Sequence, residues 1–444
     1  MFILYDLIFL IFALLYLPVF IFRGKFHSGF LNRLGFFPKD IQNSLAAKRP
    51  IWLHMVSVGE AQALRILLEK LRKEYPDRKI ALSTVTPTGN KIARSIAVEG
   101  DLVFYLPLDI SFIVRSVADL INPCLFVIAE TEIWPNLITY LSKRGIPIIS
   151  VNSRISDRSF KSYKLIKFLL KGILNKISLF CAQTQTDSRR LLALGVDPKK
   201  IKLTGNMKFD TSTLLSINGS TTLTIDNADY RRKLGLKEAD RLLTAGSTHP
   251  GEEEIILGVY KELLSDFPAL KLLIAPRHPE RAKEIERLAL NYGFNSVFIS
   301  KLRLSTIDYQ LSTVFILDTI GQLKDFYAVS DIVFIGGSLI KKGGQNILEP
   351  AVLAKPIIFG PHMFNFRDIA ELFLVSGGAV LVKNKEELRE KIKDLLLCPE
   401  SALGLGRRAR ELLLKNQGAS ERNLEIIKEV LSRKITKHQI PNNN

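Results

Sequence analysis

Short apolar runs alternate with helix-length amphipathic segments along most of the chain. Runs that are apolar throughout are typical of strands buried on both faces, and helices between them supply the crossovers that parallel strands need. The pattern therefore predicts a doubly wound α/β domain in the first half of the chain. Its predicted strands are Ile51 to Ser57, Lys79 to Val85, Leu102 to Leu106, Cys124 to Ala129, Pro147 to Val151, Ser178 to Ala182 and Ile201 to Thr204.

A second series of alternating runs begins after residues 211–227, where Ser, Thr, Asn and Gly interrupt the pattern. We interpret that interruption as a linker, because 444 residues exceed one ordinary core. The predicted organisation is an apolar segment at 1–22, a Rossmann-like domain at 23–210, the linker at 211–227, a second Rossmann-like domain at 228–415, and a closing helix and tail at 416–444. The second domain's predicted strands are Leu242 to Ala245, Leu270 to Ile274, Ser296 to Ile299, Thr313 to Leu317, Ile332 to Ile335, Pro356 to Phe359 and Ala379 to Val382.

The N-terminal segment is long enough to serve as a membrane anchor. Only Asp6 interrupts an apolar stretch from Phe2 to Phe22, and 21 helical residues would cover about 31 Å. Basic residues dominate from Arg23 to Lys48, which predicts a cytoplasmic location for everything after residue 23. A helix that lies on the membrane without crossing it is the alternative, and both place the protein at a membrane.

The formal charge of +18 indicates an acidic partner, either an anionic membrane surface or nucleic acid. Aromatic residues are not interleaved with the basic ones as in a base-stacking platform, so we expect no nucleic-acid partner. One predicted helix, 160–177, carries five lysines among apolar residues. It is predicted either to lie on anionic lipid or to be a core helix with a solvated lysine face.

The stretch from Val333 to Phe366 is the strongest candidate for a ligand site. A buried strand runs into Gly336-Gly337-Ser338, and a helix is predicted to begin near Asn346, so the loop suits a phosphate. Glu349 could accept both hydroxyls of a ribose. Loops after three other predicted strands, 246–249, 276–281 and 318–323, complete a predicted nucleotide pocket without a Walker lysine. Glycine-rich turns without a ligand are the alternative for any one loop.

Carboxylates follow two predicted strands of the first domain. Glu60 opens a helix, where its structural role would be to complement the helix dipole, and its functional role would be that of a base. Glu130 and Glu132 are predicted to lie on the same side of a strand end, and Lys208 could balance their charge. Each residue alone could equally be an ordinary surface charge.

Taken together, the motifs resemble those of the 3-deoxy-D-manno-octulosonic acid (Kdo) transferase family. The resemblance covers essentially the whole chain. It rests on V-S-V-G-E (56–60), T-x-T-P-T-G (84–89), E-T-E-x-W-P-N (130–136), G-N-M-K-F-D (205–210), P-R-H-P-E-R (276–281), G-G-S-L (336–339), N-x-L-E (346–349) and G-P-H-x-F-N-F (360–366).

The resemblance implies a GT-B glycosyltransferase fold, with two Rossmann-like domains facing a cleft and an N-terminal membrane-anchor helix. It also implies transfer of Kdo from CMP-Kdo to a lipid A precursor at the cytoplasmic face of the bacterial inner membrane, without a metal or other cofactor. Glu60 matches the family's general base, and Glu130 and Lys208 match residues that support the transition state. The implied CMP contacts are Pro276, Arg277, Gly321, Gln322, Leu323, Asn346, Ile347, Leu348 and Glu349.

Two positions depart from the family's pattern, since Gln322 replaces a glutamate and Gln345 replaces a histidine. The departures question the side-chain roles of these two residues. Two other functions stay open: a membrane-associated GT-B transferase that uses a UDP-sugar, and a nucleotide sensor without catalysis that would not need Glu60.

Overall fold

The chain forms two units, each built on one parallel sheet. The structure is a computed structural model that describes residues 5–7, 9–11, 15, 30–37, 39, 49–211, 227–302 and 313–439. Unit 1 comprises residues 1–211 and 417–444, and unit 2 comprises 212–416. The predicted linker, 211–227, lies outside the described residues except at its two ends.

The sheet of unit 1 has the strand order β3-β2-β1-β4-β5-β6-β7. Each strand corresponds to one predicted from the sequence, with ends that differ by at most three residues. Because β1 pairs with both β2 and β4, the direction of winding changes between β1 and β4. The strands are β1 (Ile51–His54), β2 (Ile80–Thr84), β3 (Leu102–Tyr105), β4 (Leu125–Ala129), β5 (Ile148–Ser153), β6 (Leu179–Ala182) and β7 (Ile201–Leu203).

The sheet of unit 2 repeats this plan with the order β10-β11-β9-β8-β12-β13-β14, and its winding changes between β8 and β12. All seven strands predicted in this half are present. They are β8 (Arg241–Thr248), β9 (Leu270–Pro276), β10 (Asn295–Phe298), β11 (Thr313–Ile316), β12 (Ile332–Ile335), β13 (Ile357–Phe359) and β14 (Val380–Leu381).

Helices follow most strands in both units. Three single 3-10 turns, Pro198–Lys200, Pro279–Arg281 and Ile299–Lys301, accompany them. The helices are α1 (Phe30–Arg33), α2 (Val58–Glu74), α3 (Pro87–Ile96), α4 (Ser111–Ile121), α5 (Pro135–Lys143), α6 (Asp157–Leu165), α7 (Lys167–Leu174), α8 (Gln185–Ala193), α9 (Asn227–Lys233), α10 (Glu252–Leu263), α11 (Ala282–Asn291), α12 (Leu323–Val329), α13 (Leu348–Val352), α14 (Arg367–Val375), α15 (Lys385–Leu397), α16 (Pro399–Lys415) and α17 (Ala419–Gln439).

Alternate residues along the central strands enter different hydrophobic clusters. In unit 1, Trp52 and Phe126 belong to one cluster, while Leu53 and Val127 belong to another. Because successive side chains of a strand point to opposite faces, the two clusters lie on the two faces of the sheet. Burial on both faces explains why these strands read as continuous apolar runs in the sequence.

The last helix, α17, belongs to unit 1 and packs against α2, although unit 2 precedes it in the chain. Leu424, Ile427 and Leu431 join the cluster that contains the apolar stripe of α2. The carboxylate of Asp210 accepts hydrogen bonds from Gly418 N–H (2.7 Å) and Ser420 N–H (2.5 Å) at the start of α17. Hydrogen bonds therefore join the end of residues 1–211 to the beginning of residues 417–444, the two parts of unit 1.

The predicted basic helix at 160–177 is two helices, α6 and α7, that meet at Ile166. The prediction of one helix was wrong, since the first helix ends at Leu165 and a second begins at Lys167. Leu165 and Phe168 are 82% and 79% exposed, whereas Ile173 and Leu174 are buried. The interpretation as an ordinary core helix therefore holds only for the second half of the segment.

The predicted anchor, 1–22, falls mostly outside the described residues. Among the residues that are described, no helix has both the length and the apolar composition needed to cross a membrane. Residues 5–7 and 9–11 are helical. Within unit 1, the carboxylate of Asp6 accepts hydrogen bonds from Ser111 N–H (3.2 Å), at the start of α4, and from Asn136 Nδ2 (2.7 Å), in α5.

Candidate active site

In unit 1 the carboxylates lie at the point where the winding changes. Glu60 follows β1, and Glu130 and Glu132 follow β4, which pairs with β1 along its whole length. Ligands of open α/β sheets bind at this edge, beyond the carboxyl ends of the strands on either side of the change. The topology therefore brings these predicted site residues together.

Glu60 is held in place by the start of its own helix. Ser57 is the N-cap of α2 and accepts the Glu60 N–H at 3.2 Å, while Glu60 Oε2 accepts the Val56 N–H at 2.7 Å. This reciprocal arrangement is a capping box shifted by one residue. Within the described chain Glu60 Oε1 accepts no hydrogen bond, so one carboxylate oxygen is anchored and the other is available to a substrate.

The T-P-T-G motif supports the segment that holds Glu60. Thr86 donates its hydroxyl to the Val56 carbonyl at 3.1 Å and caps α3 by accepting the Gly89 N–H. A Cβ atom at Gly89 would come within 2.7 Å of the Val56 carbonyl oxygen, so only glycine allows this approach. The motif thus fixes the backbone of Val56, which in turn fixes the carboxylate.

Glu130 and Glu132 do not lie on a strand, so the prediction that they share one face of a strand was wrong. The strand β4 ends at Ala129, and Glu130 adopts a left-handed conformation with φ of 55°. The Glu130 N–H still donates to the Val151 carbonyl (2.9 Å), which holds the turn at the sheet edge. A left-handed glutamate is costly and is often found where a site imposes the conformation.

The three carboxylates act on one another electrostatically. Burial, followed by the negative charges of Glu60 and Glu130, raises the pKa of Glu132 to about 7. Burial also raises the pKa of Glu60, the Val56 N–H opposes this by stabilising the ionised form, and the charge of Glu130 raises it further. A base with a raised pKa accepts a proton more readily, provided that it is ionised at the working pH.

The segment that contains Lys208 is held at the end of β5, the strand next to β4. The Met207 N–H donates to Asn152 Oδ1 (3.0 Å), and the Lys208 N–H donates to Asn206 Oδ1 (3.0 Å). Asn152 belongs to β5, which pairs with β4, and it is buried in a left-handed conformation. Asn152 therefore positions the G-N-M-K-F-D motif one strand away from Glu130, a role that the sequence analysis missed.

In unit 2 the three segments with implied CMP contacts lie at one edge of the sheet. Pro276 ends β9, and the Arg277 N–H donates to the Thr248 carbonyl of β8 at 2.9 Å. Gly321, Gln322 and Leu323 precede or begin α12, after β11. The strand β9 lies between β11 and β8, and β12 follows on the other side of β8.

Glu349 joins these segments electrostatically. Burial raises the pKa of its carboxyl, while the Asn346 amide, which donates to Oε1 at 3.0 Å, and the positive charges of Lys324 and Arg277 lower it. The charges of Arg277, which follows β9, and of Lys324, in α12, thus act on Glu349, in α13. Arg277, Lys324 and Glu349 therefore lie near enough to one another for their charges to interact.

The helix predicted near Asn346 begins at Leu348 and has only five residues. Asn346 lies before it and accepts the Leu348 N–H on its Oδ1 at 3.1 Å. Glu349 is accordingly the second residue of the helix. Ile347 and Leu348 are buried, so a ligand could contact them mainly through backbone groups.

The glycine loop after β12 already holds an anion, the side chain of Glu252. This fully buried carboxylate accepts N–H groups from Gly337 (2.6 Å) and His249 (3.1 Å) on Oε2, and from Ser338 (2.9 Å) and Leu339 (3.0 Å) on Oε1. The loop was predicted to offer these groups to a phosphate. That expectation was wrong for residues 337–339, because α10 supplies the negative charge from within the fold.

The two glutamines that depart from the family pattern both have local partners. Gln322 Oε1 accepts the hydroxyl of Thr319 at 2.6 Å, and Gln345 Nε2 lies 3.3 Å from His249 Nε2. In the described ranges, no group of three or more His, Cys, Asp or Glu side chains is arranged to hold a metal ion.

Comparison with known proteins gives relatives that match nearly the whole chain. The family model described as 3-deoxy-D-manno-octulosonic-acid transferase (kdotransferase) matches residues 28–211. A 3-deoxy-D-manno-octulosonic acid transferase of Haemophilus influenzae is 36% identical over 415 residues, which cover 93% of this chain and 93% of that protein. The protein of the same name from Chlamydophila psittaci is 34% identical, with 96% of this chain and 95% of that protein covered.

Solved structures show the same architecture. The UDP-GlcNAc 2-epimerase of Neisseria meningitidis has a TM-score of 0.58 to this chain, covering 86% of this chain and 100% of that one at 14% identity. At this identity the likeness concerns the fold alone. Together with the two seven-stranded parallel sheets, it supports the expected GT-B fold.

Proposed function

The chain belongs to the Kdo transferase family and is thus a glycosyltransferase of lipopolysaccharide biosynthesis, and we propose that it moves Kdo from CMP-Kdo to a lipid A precursor, lipid IVA, with inversion and without a metal. Glu60 is the proposed general base. The observation that carries this assignment is its hydrogen bonding, since one carboxylate oxygen is anchored to Val56 N–H and the other has no donor in the described chain.

The proposed reaction is a single displacement at the anomeric carbon of Kdo. Glu60 takes the proton of an acceptor hydroxyl as the oxygen bonds to that carbon, and the bond from the carbon to the phosphate oxygen breaks. CMP leaves with the electron pair, and attack from the opposite side inverts the configuration. Because the phosphate is a good leaving group, the protein has to supply a base and positive charge more than an acid.

Positive groups in both units have a place in this proposal. Arg277 and Lys324 are assigned to the donor's phosphate side, and Glu349 is assigned to the ribose hydroxyls. Lys208 and Glu130 are assigned to supporting the transition state beside Glu60. The support for these roles is the convergence of Arg277, Lys324 and Glu349 and the position of Lys208 one strand from Glu130.

We also propose that unit 1 works at the cytoplasmic face of the inner membrane, with membrane lipids as partners and with residues 1–22 as the anchor. Exposed apolar side chains support this, since Phe112, Leu165 and Phe168 are each more than two thirds exposed. Lys161, Lys164 and Lys167 are exposed in the same segment as Leu165 and Phe168. Apolar side chains flanked by lysines suit a bilayer that carries negative charge.

The test of the proposed base is Glu60→Gln, with transfer to lipid IVA followed by mass spectrometry. Glutamine keeps an oxygen for Val56 N–H but takes up no proton, so we expect transfer to fall by about 10² to 10⁴ with CMP binding unchanged. Glu69→Gln, on the same helix, is the matched control because Glu69 pairs with Arg65 at the surface. Full turnover by Glu60→Gln would refute the assignment.

A membrane-associated GT-B transferase with a UDP-sugar donor is the second candidate. The family's relatives favour Kdo, and the donor assay decides between them. Product from CMP-Kdo and none from UDP-sugars is the expected result, and product from a UDP-sugar alone would refute the proposed donor.

A further inference from the structure

The carboxyl edge of unit 2 carries nitrogen-bearing side chains that the proposed reaction does not use. His249 follows β8, His278 follows β9, and Lys342 and Gln345 lie in the loop after β12. Since β9, β8 and β12 are adjacent strands, these loops share one part of the sheet edge. We refer to His249, Lys342 and Gln345 as the nitrogen cluster.

Contacts within the described residues fix the centre of this cluster. His249 Nε2 lies 3.3 Å from Gln345 Nε2, and the His249 and His278 rings meet edge to face with centroids 6.2 Å apart. The His249 ring also packs on the glycine loop, because a Cβ atom at Gly337 would come within 3.2 Å of its Cδ2. The imidazole is therefore held in one place, and the exposed Lys342 is near enough for its charge to act on it.

The surroundings of the cluster are cationic. Burial lowers the pKa of His249, and the charges of His278, Lys342, Arg277 and Arg281 lower it further. The acidic side chains close to these loops are already engaged. Glu252 binds four backbone N–H groups, Glu253 binds Arg281 and Thr248, and Glu280 pairs with His278. Because Arg281 and His278 are balanced in these pairs, an anion bound here would meet the charges of Lys342 and Arg277, for which the described residues show no ion pair.

We propose that the nitrogen cluster binds the carboxylate of the sugar acid in the donor, next to the phosphate assigned to Arg277. This inference rests on the proposed function, and it deepens the donor's assignment. In a CMP-linked ulosonic acid the carboxylate and the phosphate oxygen are attached to the same carbon, so the two anions require adjacent sites. The backbone of Arg277 is bonded to Thr248, the residue before His249, which provides that adjacency.

The cluster would also distinguish donors. In a nucleotide-linked aldose the anomeric carbon carries hydrogen where an ulosonic acid carries the carboxylate. Such a donor would leave the cluster's N–H groups and the Lys342 charge without an acceptor, and leaving polar groups unpaired is an effective means of rejection.

Calorimetric titration of the full chain with CMP-Kdo and with CMP, in the absence of acceptor, tests the inference. Lys342→Ala and Gln345→Ala are expected to weaken CMP-Kdo binding by about tenfold or more, because each removes a donor to a charged group, and to change CMP binding less than twofold. Lys341→Ala removes the neighbouring exposed lysine and is the matched control. Both lysines are exposed, so their loss does not threaten folding.

Two results would overturn the inference. One is an equal loss of CMP and CMP-Kdo affinity, which would assign the cluster to the phosphate. The other is unchanged CMP-Kdo affinity in both variants. Failure of the proposed function gives a different result: a wild-type chain that binds CMP-Kdo in a manner dependent on Lys342 but transfers no Kdo would refute the reaction and support the subsite.

Discussion

The buried carboxylate of Glu252 gives a sharp prediction for the substitution Glu252→Gln. Four backbone N–H groups from two loops converge on its two oxygens. An amide of the same shape offers one oxygen, so two of the four N–H groups would face an NH₂ group and lose their acceptor. Each unsatisfied buried donor costs about 1 to 3 kcal/mol, so opening of the loop should become easier by about 4 kcal/mol.

Hydrogen exchange measured by mass spectrometry can follow the loop directly. A change of about 4 kcal/mol corresponds to about 10³-fold faster exchange at the amides of Gly337, Ser338 and Leu339. Glu254→Gln is the matched control, because Glu254 is exposed two residues further along the same helix. Exchange within threefold of the wild type in Glu252→Gln would show that the carboxylate does not hold the loop, and the reasoning would fail.

Three further predictions concern unit 1. The pKa of Glu132 is raised from 4.5 to about 7, so the wild-type protein loses stability as the pH rises through that range. Compared with the wild type, Glu132→Gln should be no more stable below pH 4.5 and up to about 3 kcal/mol more stable above pH 7. Denaturant titration at about pH 4 and about pH 8.5 measures the difference. Asp210→Ala removes the two N–H acceptors at the start of α17 and should cost about 2 kcal/mol, seen as faster hydrogen exchange along 419–431 while 58–60 is unchanged. Asp6→Ala should raise the rate of proteolysis at residues 5–11 several-fold, because Asp6 loses its hydrogen bonds to α4 and α5, and an unchanged rate would contradict the contact.

The sequence was sufficient to predict the strands because they are buried on both faces. Runs such as Ile332–Ile335 and Leu125–Ala129 can satisfy their apolar character only in a covered sheet, so their number and positions were predictable. The break at Ile166 was not, because the residues on either side all have the composition of a basic amphipathic helix. The partner of α17 was not predictable either, since helical periodicity shows which face is apolar but not which unit covers it.

The candidate site was predictable in its residues more than in its geometry. Glu60 and the segments around Arg277 and Glu349 were identified from strand ends, and the topology does bring the members of each set together. The conformation of Glu130 and the bonds of Glu252 depend on contacts with residues far away in the sequence, at Val151 and at residues 337–339. A glycine-rich loop signals that something approaches closely, but the sequence does not say whether that group is a ligand or the protein's own side chain.

Unit 2 is inserted in the sequence of unit 1, and this affects the order in which the two units can fold during synthesis on the ribosome. Unit 2 is continuous in sequence and can complete its sheet as soon as residue 416 has emerged, whereas unit 1 still lacks the helix that covers the apolar stripe of α2. Until the last few dozen residues are synthesised, Leu64, Leu67 and Leu71 have an incomplete cover. A nascent chain stalled at that stage would expose this apolar surface to chaperones and proteases. The surface is covered once α17 has been synthesised and packs on α2.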